Sequence, residues 1–322
     1  MLNNLDVNDY IYEIYKEKSF SLAAKKCFVS QPALSAMVKK VEMQLGVAIF
    51  DRSTSPITLT EAGKIYINSI EEMRSLRKRL QEELNDMGSL KTGKLILSGE
   101  NFVSSFIMPK IIMEFSDIYP GIKVELVESN SPDLRQLLLT DAIDLLIAHD
   151  FDKKVYSCEP LFDEMVILAV PEKLSINKEL VDCALSIQDL KEGKHNKEDC
   201  PSVNLATFEK EDFLIMKKGN DMQRRAQILC ENAGFTPNAR IYLDQLITSY
   251  NMACAGMGIA FVTDILATSA NGENCVYYKI KGQDISRRMY IGYKRNRYIS
   301  KACSAFIETA KNVFRNKLNT ND

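Results

Sequence analysis

The hydrophobic pattern of the chain changes twice along its 322 residues. Residues 1–60 show the three- and four-residue spacing of short helices, and one long helical pattern follows from 60 to about 87. From 91 onward, short apolar runs alternate with helical stretches, which is typical of α/β structure. The pattern therefore predicts a small helical domain over 1–60, a helix over 61–90 and an α/β domain over 91–322.

The long helix carries one apolar stripe. Apolar side chains recur every three or four positions, at Ile65, Ile67, Ile70, Met73, Leu76, Leu80, Leu84 and Met87. Thr60 is expected to cap this helix, and Gly88-Ser89 to end it. Its length of about 40 Å is too great for one small domain to cover the stripe. We expect a helix from a second copy of the chain to cover it, and a solvent-exposed spacer is the alternative.

The α/β part contains a series of short apolar runs that predict strands. They lie at 95–98, 123–128, 144–149, 165–170, 212–216, 239–243, 258–263 and 288–293. Because helical patterns separate most of them, we expect parallel strands with crossover helices, and such sheets bind ligands at the carboxyl ends of their strands. The polar segment 191–202 predicts a mobile surface loop, and 315–322 a frayed end.

Residues 20–39 predict two helices joined by a tight turn. Small Ala23 and Ala24 allow a close helix crossing, and Pro32 opens the second helix. Helical spacing turns four side chains of that helix towards the core: Leu34, Val38, Val41 and Leu45. The opposite face carries Pro32, Ala36, Lys39, Lys40 and Met43. Small side chains and lysines on this face suit entry into a DNA major groove, although the same topology also occurs as plain packing.

Two further features complete this segment. Glu42 lies on the flank of the second helix, where we expect it to pair within the domain. After Gly46, two short extended pieces surround a turn at 53–56, and this pattern predicts a wing.

The overall charge gives no reason to expect a nucleic-acid partner. Lys and Arg number 41 against 43 Asp and Glu, which makes the net charge -2, and residues 1–90 hold twelve of each sign. DNA affinity would therefore depend on local placement of cations. The eight cysteines include no C-x-x-C, so we expect reduced thiols, and the absence of an apolar leader or span favours a cytoplasmic protein with no membrane partner.

Several short motifs carry a resemblance to the LysR-type transcriptional regulators. They are S-F-S-x-A-A at 19–24, V-S-Q-P-A-L-S at 29–35, L-G-V at 45–47, F-x-R at 50–52 and L-T-x-A-G at 59–63. The likeness continues more sparsely through Gly93, Pro109, Tyr119-Pro120, Asp144 and 255–259. Asn8 departs from the leucine that many members carry.

The resemblance implies the following architecture. An N-terminal winged helix-turn-helix and a long linker helix precede a periplasmic-binding-protein-like α/β effector domain, with lobe I at about 91–166 and 268–322 and lobe II at about 167–267. It implies a regulator that is not an enzyme and carries no cofactor or metal. The expected partners are double-stranded promoter DNA, a small-molecule effector, the chain itself as a dimer of dimers, and RNA polymerase.

The resemblance also implies DNA-facing residues: Ser30, Gln31, Pro32, Ala33, Ser35, Lys39 and Arg52. In these positions Gln31 suits adenine, Ser35 a base or phosphate, and Lys39 phosphate or guanine. Arg52, at the wing, is expected to reach the DNA backbone, with an intradomain salt bridge as the alternative.

For the effector site the resemblance implies Glu100, Asn101, Phe102, Val103, Ser104, His149, Asn220, Asp221 and Met222. The family often has Ser or Thr where Phe102 stands, and such hydroxyls commonly hold anionic effectors. Phe102 is a core residue in the alternative interpretation, and Asp221 a simple helix cap. The pairs Arg224-Arg225 and Arg287-Arg288 are either solvated charge or contacts to an effector anion.

Two other classes of function remain open. A small-molecule receptor without DNA binding would use the N-terminal domain only for assembly. A cytoplasmic α/β enzyme has little support, because the chain lacks G-x-x-x-x-G-K-[ST], G-x-G-x-x-G and G-x-S-x-G motifs and has two histidines.

Overall fold

A computed structural model describes residues 6–88, 92–128, 131–282 and 285–315. The chain divides into two compact units, Met1–Leu84 and Asn85–Asp322. No helix in the described ranges combines the length and the apolar character needed to cross a bilayer.

The described residues of the first unit form four helices and a two-stranded wing. The helices are α1 (Val7–Glu17), α2 (Phe20–Lys26), α3 (Gln31–Leu45) and α4 (Glu61–Asp86). Strands β1 (Phe50–Asp51) and β2 (Thr58–Leu59) pair antiparallel, which confirms the predicted wing. Ser19 and Ser30 cap α2 and α3 by accepting backbone N–H bonds, and Gly46 ends α3 in the left-handed conformation at φ 71°.

The apolar core of this unit lies between α1, α2, α3 and the start of α4. Leu34 and Val38 are fully buried and Val41 packs against them, as predicted. The prediction for Leu45 is wrong, because this side chain is 46% exposed. It lies in the last turn of α3, beyond the side chains that make up the core.

Thr60 caps α4 as predicted. Its hydroxyl accepts a bond from the Gly63 N–H at 2.9 Å and donates to the Ala48 carbonyl at 2.6 Å. A Cβ at Gly63 would lie 2.0 Å from the Ile49 carbonyl oxygen, so only glycine lets the helix start this close to the wing. Asn8 accepts a bond from the Tyr66 hydroxyl at 2.8 Å, which gives this polar side chain a partner between α1 and α4.

The apolar stripe of α4 has two parts. Ile67 and Ile70 are buried in the core of the first unit. The rest of the stripe is exposed: Ile65, Met73, Leu76, Leu80, Leu84 and Met87. The helix ends at Asp86 with Gly88 in the following turn, and Ser89 lies outside the described residues.

The second unit is an α/β structure, and its described residues form nine strands. They are β3 (Gly93–Gly99), β4 (Ile122–Glu128), β5 (Leu145–Ala148), β6 (Tyr156–Pro171), β7 (Asp212–Met216), β8 (Asn238–Leu243), β9 (Ile259–Thr263), β10 (Cys275–Lys279) and β11 (Ser286–Lys294). Its α-helices are α5 (Met108–Ile118), α6 (Ser131–Leu139), α7 (Ile187–Lys191), α8 (Asp221–Asn232), α9 (Leu246–Cys254), α10 (Asp264–Ala270) and α11 (Lys301–Phe314).

The strands form two groups that share the long strand β6. In the first group β3 runs parallel to β4 and β5, and β11 joins β5 to the first half of β6. In the second group β7 runs parallel to β8 and β9, while β9 and β10 pair with the second half of β6. All the predicted strands are present, and the two-group sheet is the two-lobed α/β fold that we expected.

The sequence pattern missed β10 and the first half of β6. That half contains Pro160 and alternates poorly, and a register shift in β11 lies opposite it. Because β10 pairs with residues 167–171 of β6, we propose that the chain returns to lobe I after β10 rather than near 268.

The polar segment 191–202 is only partly a surface loop. A short 3-10 turn, Lys194–Asn196, places His195 in a buried position with Nε2 2.9 Å from the Asp264 carboxylate. The expectation of a purely surface loop is therefore wrong, since a buried histidine anchors it to α10. The predicted frayed end at 315–322 lies outside the described residues except for Arg315.

Candidate functional site

The first candidate site is the exposed face of α3. The Ser30 side chain accepts a bond from the Ala33 N–H at 3.3 Å, and Pro32 lies in the first turn. The helix therefore starts with its N-terminal turn at the surface, where Gln31, Pro32 and Ala33 are exposed and Ser35 is half-buried. Farther along the same face the exposed side chains include Ala36, Lys39, Lys40 and Met43, as predicted.

Arg52 is part of an internal ion pair. Its Nη2 lies 2.9 Å from the Glu42 carboxylate, and its guanidinium stacks 4.8 Å from the centre of the Phe20 ring. The other Glu42 oxygen accepts bonds from the N–H groups of Ile49, at 2.8 Å, and Phe50, at 3.2 Å. Glu42 thus pairs within the domain as predicted, and for Arg52 the structure shows the alternative, an intradomain salt bridge. This pair joins α3 to the wing.

The acidic residues of α1 are held in ion pairs. Asp9 pairs with Arg74 at 2.8 Å, and Lys26 pairs with Glu17 at 2.5 Å. For Lys39 and Lys40 the described part of the chain shows no acidic partner within salt-bridge distance. A domain with no net charge therefore presents an unpaired positive patch on α3.

Phe28 is a surface feature that the sequence analysis left out. It lies in the turn before α3, has a φ of 57° and is 96% exposed. A left-handed phenylalanine is unfavourable on its own, and an exposed ring gains no burial energy. The signal that could have found it is an aromatic residue at a turn position that favours glycine or asparagine.

The second candidate site is a cavity of about 870 Å³ in the second unit. It lies where β3, β5, β7 and β8 end, at the carboxyl edge predicted for ligands. The predicted effector residues that line it are Glu100, Asn101, Phe102, Val103, His149, Asn220, Asp221 and Met222. Ser104 does not line the cavity. It is buried, and its hydroxyl donates to the Gly99 carbonyl at 3.1 Å.

Two of the open alternatives are resolved by local contacts. Phe102 belongs to the apolar core and also forms part of the cavity wall. The cap of α8 is Asn220, whose side chain accepts a bond from the Met222 N–H at 2.9 Å. Asp221 is therefore available for ion pairs.

Asp221 is the centre of a charged network in this cavity. Its carboxylate lies 2.8 Å from Arg225 Nε, 2.9 Å from Arg224 Nη2, 3.3 Å from Arg287 Nη1 and 3.6 Å from His149 Nε2. Burial alone would raise the pKa of Asp221, but His149 and the two guanidinium groups of Arg225 and Arg287 hold it well below its usual range. The carboxylate is therefore ionised, and it joins lobe II to His149 of lobe I.

Arg287 lines the same cavity and extends the charged network to Glu164. Its Nε lies 2.6 Å from the Glu164 carboxylate, and both side chains are buried. Burial raises the pKa of Glu164, and the adjacent Arg287 opposes that rise. Burial and the charge of Arg287 lower the pKa of His149, and the Asp221 carboxylate opposes that change. The alternative in which Arg287 is solvated surface charge is wrong, whereas Arg288 pairs with Asp163 at 2.7 Å.

The sequence analysis missed much of the charged and polar lining of the cavity. Arg135, Lys217, Lys218, Asp244 and Gln245 also line the cavity. The four-residue spacing from Asp221 to Arg225 is the one signal that could have indicated an ion pair on a helix. Arg135 comes from α6, whereas Lys217 and Lys218 follow β7 and Asp244 and Gln245 follow β8, so tertiary structure brings them together.

A second cavity of about 360 Å³ lies beside the middle of β6, next to the start of α10. Asp163, Glu164, His195 and Asp264 are among the residues that line it. Across the described ranges no group of three or more His, Cys, Asp and Glu side chains is arranged to hold a metal ion.

Family comparisons cover both units. Residues 7–64 match the bacterial regulatory helix-turn-helix protein family of lysR type, and residues 88–315 match the LysR substrate binding domain. A relative from Bacillus subtilis, described as the uncharacterized HTH-type transcriptional regulator YcgK, is 27% identical over 96% of this chain and 94% of its own.

Solved structures share the fold. Full-length CbnR complexed with its target DNA aligns with a TM-score of 0.62 at 18% identity, over 95% of this chain and 98% of its own. The regulatory domain of CcmR from Synechocystis, in complex with 2-PG, aligns with a TM-score of 0.58 at 18% identity, over 71% of this chain and all of its own. Since the matched family descriptions together extend through both units, the chain belongs to the LysR family of bacterial regulatory helix-turn-helix proteins.

Proposed function

We propose that this chain is a transcriptional regulator that binds promoter DNA through α3 and responds to a small-molecule effector bound between its two lobes. The observation that carries the proposal is the exposed face of α3, where Lys39 and Lys40 stand unpaired beside small side chains. The CbnR structure, which holds target DNA, and the CcmR domain, which holds 2-PG, support the two halves of this function. We place the chain among regulators rather than enzymes, and its DNA target places it in the cytoplasm.

The DNA-facing roles follow from position on this face. Gln31 is exposed at the first turn of α3, where a side-chain amide can make two bonds to adenine. Lys39 supplies a phosphate or guanine contact, while Ser30, Pro32, Ala33 and Ser35 form the surface that enters the groove. Arg52 contributes mainly through position, because its ion pair with Glu42 holds the wing against α3.

The effector is a small polar molecule in this proposal. The cavity offers Glu100 and Asp150 on one side and Lys218 and Arg224 on another, so donors and acceptors are both available. An anionic effector would have to compete with Asp221 for Arg225 and Arg287. An effector that disturbs the contact between His149 and Asp221 would change the orientation of one lobe relative to the other. The effector would then shift the protein towards the arrangement that it binds more tightly.

Self-association uses the exposed part of the α4 stripe. Five apolar side chains along one face of α4, and Met87 just after it, are exposed in the described structure, so a second copy of the helix buries them. We propose a dimer built on α4 and a dimer of dimers as the DNA-bound form, with RNA polymerase as a further partner. The division into 1–60, 61–90 and 91–322 remains our proposal for the functional segments.

A gel-shift titration on the promoter region beside the gene tests this function. The full chain should bind that fragment more tightly than unrelated DNA of equal length at moderate salt. Gln31→Ala and Lys39→Ala should weaken binding, while Lys210→Ala, an exposed lysine in the other unit, should not. Absence of any sequence preference would reject the proposal and favour a small-molecule receptor that does not read DNA.

A further inference from the structure

Two of the eight cysteines bring their sulfur atoms into contact. Cys254 ends α9, Cys275 begins β10, and their Sγ atoms lie 3.7 Å apart. Both side chains are partly buried rather than sealed in the core. A disulfide bond is about 2 Å long, so the sulfur atoms need to approach by about 1.7 Å. The contact therefore lies within the range of a small side-chain adjustment.

The surrounding structure holds the two thiols in place. Tyr250 and Tyr277 share a hydrogen bond of 2.6 Å between their hydroxyls, and the Gly272 N–H donates to the Tyr250 hydroxyl at 3.1 Å. A Cβ at Gly272 would lie 2.7 Å from Cys254 Sγ, so glycine allows the backbone to pass directly over the pair. The β10 strand that carries Cys275 pairs with Pro171 of β6 at that residue.

The hydrogen bond between the thiols gives them different chemistry. The Cys275 thiol donates to Cys254, and this bond, opposed by burial and assisted by the Tyr250 hydroxyl, lowers the pKa of Cys254 to about 7. The same bond and burial raise the pKa of Cys275. Thiolates are the nucleophiles in exchange, and an attacking thiol with a pKa near ambient pH reacts best. Cys254 is therefore the attacking thiol and Cys275 the resolving one.

We infer that Cys254 and Cys275 form a dithiol site that small-molecule disulfides convert into an intramolecular disulfide. The Cys254 thiolate attacks one sulfur of the small disulfide, whose S–S bond breaks and releases one thiolate that takes up a proton. Cys275 loses its proton and attacks Cys254 Sγ in the mixed disulfide, which releases the second small thiol. Two electrons pass from the protein to the small disulfide, which leaves as two thiols.

The consequence for the fold is a covalent link within lobe II. The bond would join the end of α9 to the start of β10, the last strand before the chain returns towards β11. The opposite end of α9 lines the large cavity through Leu246. The oxidised form thus constrains a helix that forms part of the cavity wall.

Peptide mapping of the oxidised native chain tests the site. The full chain is equilibrated in glutathione redox buffers of increasing oxidation, quenched in acid, alkylated and digested without reductant. We expect a linked peptide containing Cys254 and Cys275 and the loss of two of the eight alkylatable thiols before the others react. The same treatment in denaturant should spread the links over many cysteine pairs.

Variants separate the two roles. Cys275→Ser should leave a stable glutathione adduct on Cys254, and Cys254→Ser should abolish both the adduct and the link. Cys183→Ser, a partly buried cysteine elsewhere in lobe II, should leave the Cys254–Cys275 link unchanged. The inference is overturned if the native wild-type chain forms no such link at any glutathione ratio, or if other pairs form first, and neither result depends on a variant folding.

Discussion

The α3 face and the lobe cavity use charge in opposite ways. On α3 the lysines are exposed, have no acidic partner among the described residues, and come from one continuous helix. In the cavity the charged groups come from separate elements, α8, β6 and β11, and already neutralise one another around Asp221 and Arg287. An exposed charge is available to a partner at little cost to folding, whereas a buried pair must be disturbed before it can respond to a ligand.

The largest expected effect is a loss of stability on breaking the buried ion pair between Glu164 and Arg287. Glu164→Gln removes the carboxylate that faces Arg287 at 2.6 Å with both side chains buried. Losing one partner of a buried ion pair costs about 3–5 kcal/mol of unfolding free energy. Arg287 would then depend on its longer contact with Asp221, at 3.3 Å. Urea unfolding of the full chain measures this loss.

A matched exposed pair is the control for that prediction. Glu125 pairs with Lys94 at 2.8 Å, and both side chains are exposed. Glu125→Gln should therefore leave the urea midpoint almost unchanged, since water screens such pairs. If the two substitutions shifted the midpoint equally, the distinction between buried and exposed charge in this protein would be lost.

The next effect is on DNA binding, with stability preserved. Gln31→Ala should reduce the binding free energy that separates the correct from the wrong base pair at one position by about 1–3 kcal/mol. Lys39→Ala should lower the slope of log affinity against log salt concentration by about one. Neither should change the unfolding free energy by more than about 0.5 kcal/mol, because both side chains are exposed. Fluorescence anisotropy at several salt concentrations, together with urea unfolding, checks both statements.

One result would reverse the assignment of these residues. If Lys39→Ala destabilised the fold as much as it weakened DNA binding, α3 would be a packing helix rather than a reading surface. The same experiment on Arg52→Ala should show the mixed behaviour of a positioning residue, with lower stability and lower affinity together, since its partner Glu42 also holds the backbone of the wing.

These two regions also differ in how far the sequence predicts them. The pattern predicted α3, the wing and the exposed face, because local spacing alone decides which side of a helix is buried. Leu45 was misplaced because burial at a helix end depends on how far the neighbouring core extends. Along α4, the pattern could not show that Ile67 and Ile70 belong to the first unit while the rest of the stripe remains exposed.

The cavity was predicted less completely. Strand ends indicated its position and most of its wall, but Arg287 and Arg135 entered it through tertiary structure. An arginine beside a strand looks the same in sequence whether it is solvated or buried against Glu164. His195 was missed for the same reason, since its partner Asp264 lies 69 residues away.

A smaller effect should appear in the pH dependence of stability. Because the pKa of Asp221 is lower in the folded chain than in the unfolded chain, its ionisation stabilises the fold above the unfolded pKa of about 4, and this contribution is lost as pH falls. Asp221→Asn should therefore flatten the acid limb of the stability curve. The difference between wild type and variant should shrink below pH 4, and a difference that grew there would contradict the assignment.

The smallest effect concerns the turn before α3. Phe28 is held at a φ of 57° with its ring exposed, so the fold tolerates local strain without any packing in return. Phe28→Asn should raise the unfolding free energy by up to about 1 kcal/mol, because asparagine accepts the left-handed conformation more readily. Phe28→Ala removes the same ring but keeps the strain, so it should not stabilise the chain.

Thermal unfolding of the two variants distinguishes relief of strain from loss of the ring, and equal midpoints would show that the turn stores no strain. Strain at this turn would mean that the chain enters α3 through an unfavourable backbone conformation that no packing of the ring offsets, as expected beside a surface whose contacts a partner completes.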